Sequence, residues 1–173
     1  MDKQVAEKIA FNEQSERRYQ EALEMYPTKE AALLPVLWIA MDQFGALPTE
    51  VLEYVSSRLD LPPVRVFSAV EFYTMFYREP RGRYHIQVCR NLSCTLRGSE
   101  QLMGLLEGKL GIQPGETTED GNFSIETAEC LGSCGTAPVM RVNDTYYEDL
   151  TIEKLEKIIE GCLGGRSSSE LLG

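Results

Sequence analysis

Four cysteines place the tightest constraint on this chain: Cys89-x4-Cys94 and Cys130-x3-Cys134 form two short-spaced pairs with 35 residues between them. Each pair follows a segment that reads as a strand, so each pair occupies the loop leaving that strand. Two such loops meet only if the strands share one sheet and end at the same edge. A fold that meets this condition gathers four thiolates around one small inorganic centre. Thiolate softness restricts that centre to iron–sulfur, zinc or copper(I). Structural zinc prefers tighter spans, usually C-x2-C. A two-iron cluster is wider than a lone ion and accommodates loops of four and three residues. The spacing therefore favours an iron–sulfur cluster, with zinc and four ordinary core thiols as the alternatives.

The remaining chemistry is sparse. His85 is the only histidine, so a two-histidine Rieske centre is impossible, and its place in a strand reads as a packed or hydrogen-bonded ring. Cys162 falls three residues after Ile159 on the apolar face of a terminal helix and reads as a small buried hydrophobe. No G-x-G-x-x-G follows a strand, and Gly104-x3-Gly108-Lys109-Leu110 is too short for a phosphate loop and lacks its Ser/Thr. No site for nicotinamide, flavin or ATP is expected, and no nucleophile–base pair. Four thiolates and two sulfides around two ferric ions carry a charge of about −2, or about −3 after one electron is added. The net charge of −10 opposes that addition, whereas N–H groups near Gly132 and Gly135 would favour it. Residues 81–99 contain Arg81, Arg83, Arg90 and Arg97 and no acid, which reads either as a solvated basic face or as local compensation or docking.

Around these residues the chain reads as α+β in two halves. Residues 1–80 are helical: Tyr19, Ala22, Leu23 and Tyr26 keep helical spacing up to Pro27. Thr28 reads as the N-cap of a second helix, bent by Pro35 and closed by Gly45. Thr49 reads as the cap of a third, and a fourth spans Val64 to Phe76 with the aromatic cluster Phe72, Tyr73, Phe76 and Tyr77, read as core packing with a partner-subunit contact as the alternative. Residues 81–163 read as β-α-β-β-β-α: strands at Arg83–Val88 and Phe123–Glu129, and a hairpin across Asn143-Asp144. Ser99 and Thr151 read as the N-caps of its helices. Within the first of these, Gly104 and Gly108 each cost about 1 kcal/mol against alanine. Residues 164–173 read as a loose tail. Cis bonds are about 5–6% of X–Pro bonds, so a trans form is favoured at Ala137-Pro138, beside the last cysteine.

Composition limits the setting. With 17 Lys+Arg against 27 Asp+Glu, the acidic balance argues against a nucleic-acid partner. The longest apolar run, Ala31–Met41, has eleven residues and contains Pro35, far below the roughly 20 needed to span a bilayer. The N-terminus lacks a signal-peptide apolar core, so a cytoplasmic location is expected, where disulfides are disfavoured.

The stretches Phe72-Tyr73-Thr74-Met75-Phe76, Val88-Cys89-x4-Cys94, Cys130-Leu131-Gly132-Ser133-Cys134-Gly135 and Ala137-Pro138-Val139-Met140 resemble the family of the 24 kDa subunit of NADH:quinone oxidoreductase, respiratory complex I. The likeness covers about residues 5–162, and the cysteine spacing is its most specific part. It implies a helical N-terminal domain and a thioredoxin-like ferredoxin domain with one [2Fe–2S] cluster on Cys89, Cys94, Cys130 and Cys134. It also implies docking on a larger flavoprotein subunit that binds FMN and NADH and has its own [4Fe–4S] cluster. The chain would then sit in the peripheral arm at the inner membrane. Similar subunits serve NAD-linked hydrogenases and formate dehydrogenases. Readings of a different class are a free-standing ferredoxin or a zinc-stabilised adaptor.

Overall fold

The computed structural model describes residues 9–166, which fall into two compact units dividing between Pro80 and Arg81. The first is built from α1 (Glu13–Met25), α2 (Leu33–Phe44), α3 (Thr49–Leu59) and α4 (Pro63–Phe72). Its core is fully buried at Val36, Leu37, Ala40, Leu47, Leu52, Val55, Leu59 and Val66. Asn12 caps α1, its side-chain oxygen accepting the Ser15 N–H at 2.8 Å. Arg58 joins α3 to α1. It pairs with Glu16 at 2.6 Å, donates to the Tyr54 hydroxyl at 2.7 Å, and lies 4.3 Å from the Tyr19 ring centroid. The Arg58 hydrogen bonds hold the Glu16 carboxyl below its ordinary range.

Three boundaries differ from the sequence reading. Thr28 caps a turn, accepting the Ala31 N–H at 3.2 Å, and α2 starts later, at Leu33. Pro35 consequently lies in the first turn of α2, where its missing N–H is not needed, and does not act as a mid-helix bend. Pro48 is the N-cap of α3, and the Thr49 hydroxyl instead accepts from Arg78 at 3.1 Å. Helix α4 takes Pro63 at its start and stops at Phe72, four residues before the expected end. Of its aromatic group Phe76 is buried, whereas Phe72 is 77% exposed, so core packing does not account for Phe72.

The second unit is a four-stranded sheet in the order β2-β1-β3-β4, from β1 (Tyr84–Cys89), β2 (Phe123–Ala128), β3 (Met140–Val142) and β4 (Thr145–Tyr147). β1 and β2 are parallel, β3 and β4 antiparallel to their neighbours, and the register sets Cys89 opposite Ala128. Two helices join the parallel pair: α5 (Leu92–Leu96), which the sequence reading missed, and α6 (Ser99–Leu110). Gly98, at φ 94°, is the cap residue of α6, with Ser99 its first helical residue. Helix α7 (Ile152–Leu163) begins as expected, the Thr151 hydroxyl accepting the Lys154 N–H at 3.3 Å.

Strand alternation sorts the sheet into unlike faces. Tyr84, Ile86, Val88, Phe123, Ile125, Met140 and Val142 form one core with Leu102 and Leu106 of α6 and Leu155, Ile158, Ile159 and Cys162 of α7. The residues between them, His85 and Gln87 on β1 and Ser124 and Glu126 on β2, line the opposite face. Gly164 and Gly165 close α7, and the Arg166 carbonyl accepts the Tyr84 hydroxyl at 2.9 Å, so the first tail residues are ordered. The rest of the expected tail, 167–173, lies outside the described residues, as do residues 1–8. Among the described residues no helix is long and apolar enough to cross a membrane.

Glycine substitutions should separate close approach from open space. A Cβ on Gly82 would stand 2.5 Å from the Phe123 carbonyl carbon, which is backbone and cannot yield. Gly82→Ala should therefore cost on the order of 2 kcal/mol. At Gly104 and Gly108 a Cβ meets nothing within 4 Å among the described residues, and alanine at either should stabilise by up to about 1 kcal/mol. Urea unfolding midpoints of the three variants, at unchanged slope, check both signs.

Candidate metal centre

The register of β1 against β2 places two loops at one edge of the sheet. β1 ends at Cys89, and the chain turns through Arg90-Asn91 into α5, which carries Cys94. Asn91 enables that turn: its side-chain oxygen accepts the Leu92 N–H at 2.9 Å, and its amide donates to the Glu129 carbonyl at 3.2 Å in the opposite loop. β2 ends at Ala128, and its loop carries Cys130 and then Cys134, the latter opening a short 3-10 turn over Cys134–Thr136. Gly132, at φ 83°, supplies the left-handed residue between the two cysteines.

The four thiols come together there. Cys89 and Cys94 are each 2% exposed and pack with Ala137, Val139 and Leu131, while Cys130 and Cys134 are exposed at the rim. Burial pushes the Cys89 thiol up, but the Asn91 and Leu131 N–H groups and the Cys94 and Cys130 thiols outweigh it and hold the pKa below the ordinary value. Burial and then the Cys89 contact push the Cys94 thiol up, against a hydrogen bond from the Val139 backbone and with the Cys134 charge adding to the rise. All five cysteines are free thiols, and among the described residues no three His, Cys, Asp or Glu side chains are placed to hold a metal ion. Four thiols from two loops, with backbone N–H groups already directed at the two buried sulfurs, fit a thiolate-held iron–sulfur group.

Cys162 belongs to a different place. It is packed under α7 in the main core, and burial raises its thiol to about 11. His85 is also away from the sulfurs, on the polar face of β1, with Nδ1 2.8 Å from the Ser124 hydroxyl and Nε2 3.1 Å from Glu126.

Pro138 lies at the cysteine edge, as the loop geometry required, and the Ala137-Pro138 bond is cis where the sequence favoured trans. The Leu150 N–H donates to its carbonyl at 3.2 Å, and the strand starts one residue later than expected, at Met140. The Val139 carbonyl nonetheless accepts the Cys89 N–H at 3.1 Å, so pairing reaches the first ligand position. N–H groups at Asn91, Leu131 and Val139 meet the two buried sulfurs. Only Asn91 had a sequence signal, as a residue able to cap the turn before Leu92. Sequence reasoning also missed the staple on the second loop, where the Thr136 hydroxyl donates to Glu148 at 2.8 Å. The acid-free arginine stretch finds its acids on β2 and beyond: Arg81 pairs with Glu126 at 2.9 Å and Arg90 with Glu129.

Residues 19–163 match the model of the thioredoxin-like [2Fe–2S] ferredoxin family. The NADH-quinone oxidoreductase E subunit of Rickettsia conorii is 44% identical over 155 residues, 88% of this chain and 93% of its own. A second relative, the NADH-quinone oxidoreductase E 2 subunit of Rhizobium meliloti, is 47% identical over 78% of this chain and 80% of its own. Among solved structures, an NAD+-reducing [NiFe]-hydrogenase in its H2-reduced state superposes with a TM-score of 0.67 at 23% identity, over 78% of this chain and 23% of that one, which is a likeness of fold. Over most of its length, this chain belongs to the thioredoxin-like [2Fe–2S] ferredoxin family, with E subunits of NADH-quinone oxidoreductase among its relatives.

Proposed function

We propose that the chain is the [2Fe–2S] electron-transfer subunit of an NADH-quinone oxidoreductase, with Cys89, Cys94, Cys130 and Cys134 holding the cluster. The observation that carries this reading is the meeting of four thiols at one sheet edge, with backbone N–H groups directed at the two buried sulfurs. When bound, the cluster supplies a one-electron couple whose potential depends on its ligands, hydrogen bonds and exposure. Cys89 and Cys94 hold the inner side in an apolar pocket that excludes water. Cys130 and Cys134 present the outer side to a partner. The N–H groups of Asn91, Leu131 and Val139 offset negative charge on the buried sulfurs and ease the addition of an electron.

The chain has no catalytic site of its own in this reading. Its electrons are exchanged with a larger subunit that binds FMN and NADH and carries a [4Fe–4S] cluster. Residues 81–163 are the electron-carrying domain, and the helical residues 1–80 serve assembly, with exposed Phe72 and Met75 at the end of α4 as contact surface. Such an assembly places the chain in a peripheral arm on the cytoplasmic side of the inner membrane. The equivalent subunit of an NAD-linked hydrogenase is the second reading, favoured only by the likeness of fold to that enzyme. Identifying the flavoprotein that co-purifies decides between them.

The purified chain should contain about two irons and two acid-labile sulfides, and serine at any one of Cys89, Cys94, Cys130 or Cys134 should lose or strongly perturb its visible absorption. Alanine at Cys162 should leave that spectrum unchanged while costing about 1–2 kcal/mol through a small cavity. Stoichiometric zinc in a colourless chain, or bleaching by Cys162→Ala, contradicts the assignment. The chain alone should not oxidise NADH, and oxidation should appear only with the flavoprotein subunit, as a reconstituted diaphorase assay would show.

A further inference from the structure

We propose that His85 is a proton-binding site coupled to the electron on the cluster, taking up a proton when the thiolate site gains negative charge. This inference rests on the functional reading above. His85 is 5% exposed and lies on β1 four residues before Cys89, with its side chain on the same face of the strand. At a rise of about 3.3 Å per residue, the two positions are about 13 Å apart along the strand. The intervening Gln87 is 6% exposed and Cys89 2%, so the path runs through buried strand, where salt screens charge far less than it does across solvent.

The surroundings of the ring accept both of its charge states. Nδ1 stands 2.8 Å from the hydroxyl of Ser124, which is fully buried, and Nε2 stands 3.1 Å from Glu126. The Ser124 oxygen already accepts the Gly82 N–H at 3.1 Å. In the neutral ring, Nε2 stands at ion-pair distance from Glu126 and Nδ1 accepts the serine hydroxyl proton. In the cation, Nδ1–H donates to the same serine oxygen, and the hydroxyl proton turns away. A hydroxyl rotation separates the two states, and the carboxylate 3.1 Å from Nε2 offsets the added charge.

The charges facing the ring from the second unit are the Glu126 carboxylate and two guanidinium groups, one of them paired with it. Glu126 of β2 is paired with Arg81 at 2.9 Å and also accepts from Gln87, whose side-chain oxygen accepts from Arg141 of β3 at 2.7 Å. Asn143, in the turn between β3 and β4, holds the His85 backbone N–H at 2.9 Å. Imidazole is the side chain whose charge ordinarily changes near neutral pH. The balance is simple: the electron goes from the reduced partner subunit to the thiolate site, and the proton goes from solvent to Nδ1. Because linkage is reciprocal, a protonated His85 favours reduction, and the gain is lost as pH rises through the histidine titration. A purely structural role, holding β1 to β2, would need none of this coupling.

His85 is the only histidine of the chain, so its ring C–H resonance is read in the full-length cluster-loaded protein without assignment. The NMR titration should move to higher pH in the reduced protein than in the oxidised. Over the same range the midpoint potential should fall as pH rises, by no more than about 59 mV per tenfold change in proton concentration. His85→Gln should remove the pH dependence of the potential while keeping the cluster's absorption, and Glu126→Gln should move the histidine titration to lower pH. Identical titrations in the two oxidation states, or an unchanged potential slope in His85→Gln, overturn the proposal and leave the cluster assignment standing. A chain that takes up no iron overturns both.

Discussion

The parallel pairing of β1 with β2 is the constraint on which the site depends. Its register runs from Tyr84 opposite Phe123 to Cys89 opposite Ala128, so both strands end at the same edge and release their cysteine loops side by side. A one-residue slip would turn every side chain of a strand to the other face. Ile86, Val88 and Ile125 would then leave the core that α6 and α7 cover, and Cys89 would leave the cysteine edge. The apolar pattern of the strands and the position of the first ligand are thus set by the same register. The turn residues act at its end: Asn91 bridges the two loops, Gly132 makes the second loop tight enough, and the Val139 carbonyl extends the β1 pairing to Cys89.

The polar face of the same sheet follows a different logic. Burying Glu126 raises its pKa, but His85, Gln87 and Arg81 reverse this and leave a net fall. A carboxyl whose folded pKa is lowered contributes stability above its unfolded value, and that stability is lost as pH falls through the folded value. The network therefore holds β1, β2 and β3 together through neutral pH and weakens on acidification. Unpaired, such charges would be costly this deep in the structure. Paired across strand neighbours, they reinforce the register that the cysteine loops need.

Much of this was legible in the sequence, for identifiable reasons. Strand alternation, the Thr151 cap and the Asn143-Asp144 hairpin are local signals, and the second unit follows them closely. The cysteine pairs after the strands placed four thiols at one edge, where the structure brings them together, and Cys162 stood apart on helical spacing. What failed depended on context that spacing does not carry. Pro35 reads as a bend or as a harmless first-turn residue according to where α2 begins, and that was set by a preceding turn on Thr28. Phe72 carries the same apolar signal as Phe76, yet one is exposed and the other buried. Helix α5 is too short, at five residues, to show a period. The polar network was hidden because its partners lie on different strands, and only the register brings His85 to Ser124 and Gln87 to Glu126.

Mössbauer spectroscopy of the isotopically enriched, purified chain tests the central claim most directly, because it counts the iron sites and reads their oxidation states. A cluster on these four cysteines predicts two tetrahedral ferric sites when oxidised, and one ferric with one ferrous site after a single electron is added. A single iron, a four-iron pattern, or a chain that binds zinc in place of iron would contradict it.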